Sequence, residues 1–334
     1  MLSLEFKNIL LTTQLCQYLD PFELDLFLEH SKVVSFERGD IIVAQGKIVD
    51  GMYIIIEGQA AVTARILGEG MTSLATLKQG DLLGEVSLIE KGSSATSVIA
   101  DTAMSCLFIL AKYFDLLTLF YPETKYKINK AIMEKVSARL KNIHKKITHV
   151  MNETDMITRS VFGEVMKSFT KPSVIEFKEA KLEIENLKKI PPFEIFREDE
   201  WDELLRDSTL IKTTDQCNLI IEGDKKPSCY IVLRGAVQSS IIQDNKVAKL
   251  SVLGPMLFFA NISIIDPSAS ALINYATRER AILLKISGFE NFSRDQKVKE
   301  LWYKFFDIIC KSFVILERSA NKLDIRLATE LYNR

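Results

Sequence analysis

The sequence predicts an α+β protein of two tandem domains, each opening on a helix, running through short strands with glycine turns, and closing on a long helix. Three observations carry this expectation. The length of 334 residues suits two medium domains better than one. The stretch from Ile42 to Gly58, IVAQGKIVDGMYIIIEG, is matched without a gap by Leu219 to Gly235, LIIEGDKKPSCYIVLRG. Each copy is also flanked by segments of the same kind in the same order.

Taking the elements in order, Leu15 to His30 and Phe193 to Asp207 are short amphipathic helical patterns ahead of each copy. In the first copy Ile41–Ala44 and Met52–Ile56 are apolar runs of strand length, bounded by Gly39, Gly46, Gly51 and Gly58. The second copy keeps Gly223 and Gly235 as punctuation and confines Pro227 to the turn. Downstream, Thr96 to Ile109 pairs with Ala271 to Leu284, each a pair of strand-like segments around a polar turn. Between the copies, Val161, Phe162, Val165, Met166 and Phe169 recur at helical spacing up to Pro172, and EFKEAKLEIENLKK is rich in helix formers. The expected division is therefore a first domain over residues 1–150, a helical connector over 151–191 and a second domain over 192–334.

The helix expected to close the first domain carries one apolar stripe through Ile128, Ile132, Val136, Leu140, Ile143 and Ile147. Pairing with a second copy through Ile132, Val136, Leu140, Ile143 and Ile147, or packing against the second domain, would bury it. Lys130, Lys135, Arg139, Lys141, Lys145 and Lys146 occupy its other faces and read as a solvated surface, since no aromatics interleave them for nucleic acid. The C-terminal helix has its own stripe, with Leu301, Trp302, Phe305, Ile308, Ile309, Phe313 and Leu316 as core or interface material.

Composition narrows the function classes. With 47% hydrophobic and 26% charged residues the chain reads as globular, and its net charge of −1 gives no overall footprint for nucleic acid or acidic lipid. The opening MLSLEFKNIL lacks the basic start and apolar core of a secretory leader, and no run approaches the roughly 18 apolar residues of a membrane span. A cytoplasmic protein without membrane contact is expected. Cys16, Cys106, Cys217, Cys229 and Cys310 form no C-x-x-C pair, and His144 and His149 stand five apart, so no metal site is expected. Nor is there a nucleophile elbow, a phosphate loop with Gly-Lys-Ser or a dinucleotide fingerprint, so the protein is not expected to be an enzyme.

On the glycine and apolar spacing of Ile42–Gly58 and its repetition, the chain resembles the cyclic-nucleotide-binding domain family over roughly Thr13 to Val150 and again Phe193 to Glu317. That family includes bacterial catabolite activators, kinase regulatory subunits and gated channels. The resemblance implies a double-stranded β-helix of jelly-roll type in each domain. The family's cassette runs F-G-E-L-A-L, then P-R-A-A-T; here Leu83-Gly84-Glu85-Val86-Ser87-Leu88 is followed by Ser93-Ser94-Ala95-Thr96-Ser97. It implies that Gly84 lets backbone approach a ligand, that Glu85 accepts from a ribose 2′-hydroxyl, and that Ser94 stands where an arginine meets the phosphate. Gly84, Glu85, Val86, Ser93, Ser94, Ala95 and Thr96 are thus the candidate ligand residues, with cyclic AMP, cyclic GMP or another small anion as candidate ligand.

A hydroxyl cannot reproduce a guanidinium's bidentate contact with phosphate, and hydrogen bonds to charged groups are worth roughly 1.5–3 kcal/mol. Weak binding is expected, helped by the Ser93, Ser94, Thr96 and Ser97 hydroxyls. The second cassette, Phe258-Phe259-Ala260-Asn261-Ile262-Ser263 followed by Asp266-Pro267-Ser268-Ala269-Ser270-Ala271, has lost glycine, carboxylate and arginine together. Ala260, Asn261, Ser268, Ala269 and Ser270 form its degenerate counterpart, and Asp266 is expected to repel a phosphate. After the last helix the chain finishes at LDIRLATELYNR, without the helix-turn-helix that activators of the family use, and it shows no Arg-Arg-x-small pseudosubstrate. The expectation is a regulatory or sensor protein whose first domain binds a small ligand, or else a ligand-free interaction and dimerisation scaffold with a protein partner or second copy.

Overall fold

The computed structural model describes residues 10–13, 15–66, 70–153, 171–180, 184–189, 191, 193–244, 246–288 and 298–332. Two compact units are present: Met1–Lys135 with Asp324–Arg334, and Val136–Leu323. The division between these units falls at Lys135/Val136, inside a helix that spans Pro122–Glu153.

In the first unit, helix α1 (Pro21–Glu29) starts at a capping box: the Glu23 amide donates to Asp20 at 2.8 Å, and the Asp20 amide donates to Glu23 at 2.8 Å. The following strands are β1 (Ser31–Phe36), β2 (Ile41–Val43), β3 (Gly51–Glu57), β4 (Ala60–Ile66), β5 (Gly70–Leu77), β6 (Leu82–Leu83), β7 (Ser97–Ala100) and β8 (Met104–Leu110), with helix α2 (Glu85–Glu90) between β6 and β7. They form two four-stranded antiparallel sheets, ordered β1-β8-β3-β6 and β2-β7-β4-β5. Between them lies a core that includes Ile42, Val43, Ile55, Leu83, Val98 and Cys106. Helices α3 (Ala111–Phe120) and α4 (Pro122–Glu153) follow.

The second unit repeats this order. Strand β9 (Ser173–Val174), helices α5 (Ile184–Lys188) and α6 (Glu198–Arg206), and strands β10 (Thr209–Lys212), β11 (Asn218–Ile220), β12 (Cys229–Arg234), β13 (Val237–Gln243), β14 (Lys246–Leu253), β15 (Phe258–Ala260), β16 (Asn274–Thr277) and β17 (Ile282–Ile286) lead to helix α7 (Lys299–Tyr332). The sheets run β15-β12-β17-β10-β9 and β11-β16-β13-β14, the first unit's topology with one strand added. That strand comes from the connector. Its residues 173–174 pair with Ile211 and Lys212, and among the described residues of EFKEAKLEIENLKK only Ile184–Lys188 is helical. The helix expected over Val161, Phe162, Val165, Met166 and Phe169 lies outside the described residues.

The two rolls share more than strand order. Gly58 and Gly235 end β3 and β12 with φ of 91° and 81°, and an added Cβ would stand 2.6 Å from a carbonyl oxygen at each, Ala103 O and Arg280 O. Glu23 and Glu200 are both buried and both cap their helix, and Lys127 and Lys304 each reach them at 2.8 Å. The spacing from Glu23 to Glu200 and from Lys127 to Lys304 equals that from Ile42 to Leu219. Each unit therefore ties the helix before its roll to the helix after it by an ion pair between a buried glutamate and a partly exposed lysine.

Ile132, Val136, Leu140, Ile143 and Ile147 are all buried within the chain. The folded surface does not present this stripe to a second copy, because apolar side chains such as Phe313, Leu316 and Ala320 already gather beside Leu140. Three cations of the same helix are held in ion pairs: Lys135 with Asp81 at 3.5 Å, Arg139 with Glu317 at 2.5 Å and Lys141 with Asp266 at 2.6 Å. Among the described residues no helix is long and apolar enough to cross a membrane, no cluster of His, Cys, Asp and Glu is placed to hold a metal, and the five cysteines are free and buried.

Candidate functional site

In the first unit, strand β6 delivers the chain to Gly84, which caps α2 with φ of 85°. A Cβ here would meet Gly51 O at 2.9 Å and Val49 at 3.2 Å, so glycine is required both by conformation and by space. The next side chain, Glu85, is buried at 3% exposure, and Val86 is half-buried. Two residues of the expected site, Gly84 and Glu85, thus stand together at the start of one short helix.

The loop that follows is pinned against the turn after β2. Gly46 N–H donates to Ser94 O and Ser94 N–H donates to Lys47 O, both at 2.8 Å, while Ser93 bridges to Ile48. The Ser94 hydroxyl donates to Thr96 O at 2.7 Å, and the Thr96 amide points back to that hydroxyl at 3.4 Å. The Ser97 hydroxyl oxygen accepts from Gln45 N–H at 3.0 Å. Of the hydroxyls expected to face a ligand, that of Ser94 is therefore spent on the loop itself.

The second unit answers the same two places differently. No left-handed residue precedes the turn after β15: Asn261 has φ of −72°, and a single 3₁₀ turn, Ile262–Ile264, replaces α2. Ala260 is accommodated for that reason. Asn261 is buried and fully engaged, its Oδ1 accepting from Ser263 N–H at 3.1 Å and its Nδ2 donating to Asp224 O and Lys226 O at 2.9 and 3.0 Å.

Backbone pairing also shifts the register expected for the second loop. Gly223 N–H donates to Ala271 O and Ala271 N–H to Asp224 O, both at 2.8 Å, the same pair of bonds that Ser94 makes with Gly46 and Lys47. Ala271, rather than Ser268, Ala269 or Ser270, is the structural counterpart of Ser94, and Thr96 corresponds to Ile273 rather than to Ala271. The sequence match slipped because the loop residues are small and polar in both copies and carry no periodic signal. Around Ala271 the space is apolar, lined also by Leu140, Ile220, Ile241, Ile273 and Phe313. A cavity of about 20 Å³ remains there, room for one water rather than the roughly 300 Å³ or more of a ligand pocket.

Asp266 does not face this space as an unpaired acid. Its carboxylate accepts from Lys141 at 2.6 Å, from Ser137 at 3.1 Å and from the amide and hydroxyl of Ser268 at 3.1 and 2.6 Å. Burial pushes its pKa up, but these hydrogen bonds and the Lys141 charge outweigh burial and hold it at about 2. A carboxylate depressed in the folded state stabilises at pH above its unfolded value of roughly 4 and loses that contribution as pH falls toward 2. Asp266→Asn is accordingly expected to lower stability by about 1 kcal/mol at pH 7. In urea titrations the gap between variant and parent should close as pH falls from 4 to 2; a gap that persists at pH 2 would contradict the ion-pair account.

The Glu23–Lys127 and Glu200–Lys304 pairs were not singled out in the sequence. Carrying the gapless repeat outward from Ile42–Gly58 would have superposed both pairs.

Residues 33–118 match the family model described as the cyclic nucleotide-binding domain. Among curated relatives, the cyclic AMP receptor protein of Thermus thermophilus is 33% identical over 92 residues, 27% of this chain and 43% of that protein. A cyclic nucleotide-gated cation channel protein of Drosophila melanogaster is 34% identical over 98 residues, 28% of this chain and 14% of that protein. The chain spans less than half the length of these curated relatives. Among solved structures, a regulatory subunit of a cAMP-independent protein kinase A from Trypanosoma brucei is 15% identical, with 86% of each chain covered and a TM-score of 0.32.

Proposed function

We propose, from a chain whose residues 33–118 match the model of the cyclic nucleotide-binding domain, that the protein is a non-catalytic regulator with one ligand-reading unit and one ligand-free unit. The observation that carries this reading is the contrast between the two cassettes. The first keeps Gly84 in the left-handed conformation that sets Glu85 at the start of α2. The second has Asn261 bonded into its own loop and only about 20 Å³ of space beside Ala271.

Ligand binding in the first unit would act on the segment Ser93–Ser97 and α2, and a shift in their arrangement is the two-state element that a partner protein would read. The second unit serves as a folded platform, closed by the Lys141–Asp266 pair. The family's role is regulatory, and the same holds for this chain under the proposal.

Calorimetric titration of the full chain with cyclic AMP, cyclic GMP and the corresponding nucleosides tests the reading. Binding is expected at one ligand per chain, to weaken at least about ten-fold in Glu85→Gln through loss of a charged acceptor, and to be unchanged in Asn261→Ala. Two sites per chain, or a Glu85→Gln variant that binds as the parent does, would overturn it.

A further inference from the structure

We infer that the first unit holds a second binding site, a cleft where strands β1 and β8 meet helices α1 and α3, for a small aromatic carboxylate. The cleft measures about 340 Å³, within the roughly 300–1,000 Å³ of ligand pockets. It lies along β1, the edge of the sheet opposite β6 and the cassette that β6 leads into. The site is therefore independent of the roles given above to Gly84 and Glu85.

Its floor is aromatic. An added Cβ at Gly51 would stand 2.9 Å from the Phe108 ring, so the glycine on β3 clears the space in which that ring lies. Tyr113 lines the same cleft, with the His30 ring stacked on it at 4.7 Å between centroids. Leu110 and Leu116 complete an apolar wall against which a planar ring can be buried. The rim is cationic. Lys32 and Lys112 are exposed and line the cleft, the Lys32 ammonium 5.5 Å from the centroid of the Phe108 ring. Among the described residues neither is held in an ion pair, and Glu29 is the single acid beside them. The carbonyls that end α1 would repel an anion, but they are already met. Leu26 O accepts from His30 Nδ1 at 2.9 Å, and the Ser31 hydroxyl lies 2.9 and 3.0 Å from Phe27 O and Leu28 O.

The second unit shows that these features form a set. At the same spacing Gly51, Phe108, His30 and Lys32 are replaced by Ser228, Lys285, Asp207 and Thr209. Strand pairing gives the same match, since Lys32 stands opposite Phe108 as Thr209 stands opposite Lys285. Aromatic floor and cationic rim are lost together, and the Asp207 carboxylate packs against Gly288, 2.5 Å from where a Cβ there would stand.

The test is a saturation-transfer NMR titration of the full chain with indole-3-acetate, indole-3-acetamide and tryptamine, which share a ring and differ in charge. At low ionic strength the carboxylate is expected to bind about five-fold tighter than the amide, the combined worth of two exposed ion pairs, and the amine to bind least. At about 0.5 M salt the acid and the amide should converge. Lys32→Glu is expected to invert the order in favour of tryptamine, and Lys112→Glu, on another element, does the same should Lys32→Glu fail to fold. Lys285→Glu in the second unit should change nothing. Equal binding of acid and amide by the parent, or an order that neither variant of the first unit alters, overturns the inference. Displacement of bound indole-3-acetate by excess cyclic AMP would place it in the cassette, and absence of saturable binding at about 1 mM would remove the site. Either outcome overturns the inference and leaves the reading of Gly84 and Glu85 standing.

Discussion

Glu23→Ala is expected to lower the stability of the first unit by about 2 kcal/mol, and Glu200→Ala that of the second unit by a similar amount, as for removal of a buried carboxylate that accepts several hydrogen bonds, one of them from a partly exposed lysine. Glu23 accepts from Lys127 at 2.8 Å, from the Thr124 hydroxyl at 2.9 Å and from the Asp20 amide at 2.8 Å. Alanine leaves all three donors without that acceptor and opens the helix cap, worth about 1 kcal/mol alone. Glu200 holds Lys304 and the Arg197 amide in the same way. Replacing Lys127 by Met in the Glu23→Ala background should recover a large part of the loss, because the stranded cation is then gone. Chemical denaturation followed by circular dichroism measures these differences. A loss below about 1 kcal/mol would assign the pair to the class of exposed salt bridges.

Lys127 also sets the pH range over which this pair acts. Burial pulls its pKa down, yet the hydrogen bond and charge of Glu23 outweigh burial and raise it above its ordinary value. A raised lysine contributes fully below its unfolded pKa of roughly 10.4 and loses that contribution only as pH rises through the folded value. The Glu23 and Lys127 variants should therefore differ from the parent by a constant amount near neutrality.

The architecture was readable in the sequence because the repeat is gapless where the backbone is most constrained. Gly58 and Gly235 recur in register since a side chain at either would strike a carbonyl, and Tyr53 and Tyr230 recur within β3 and β12. The degenerate character of the second cassette was readable too, since Ala260 and Asn261 replace residues with distinct physical tasks. Register within the loops was readable only by carrying the spacing from Ile42 to Leu219 through them, which sets Ala271 opposite Ser94 as backbone pairing does, since serine and alanine carry no pattern of their own. The fate of the helical stripe was equally hidden: an apolar face states that it is covered, and Ile132 to Ile147 are covered inside the chain. Asp266 shows a third limit, since its partners Lys141 and Ser137 are far away in sequence and convert an expected repulsion into a clasp.

Gly84→Ala is expected to remove ligand binding and to lower the stability of the first unit by about 2–3 kcal/mol. A non-glycine residue in the left-handed region costs roughly 1–2 kcal/mol, and the new methyl would stand 2.9 Å from Gly51 O and 3.2 Å from Val49, so strand β3 or the turn must give way. Either movement displaces Glu85, the next residue, from the place that the turn assigns to it. The binding loss should exceed about ten-fold, the value of one hydrogen bond to a charged group. Ala260→Gly supplies the control. Its neighbour Asn261 turns the chain with φ of −72° and needs no left-handed residue before it, so added freedom there should cost no more than about 1 kcal/mol and create no second site. If Gly84→Ala folds with parental stability and binds normally, the left-handed turn is not what positions Glu85, and the contrast between the two cassettes would have to rest on Asn261 and Ala271 alone.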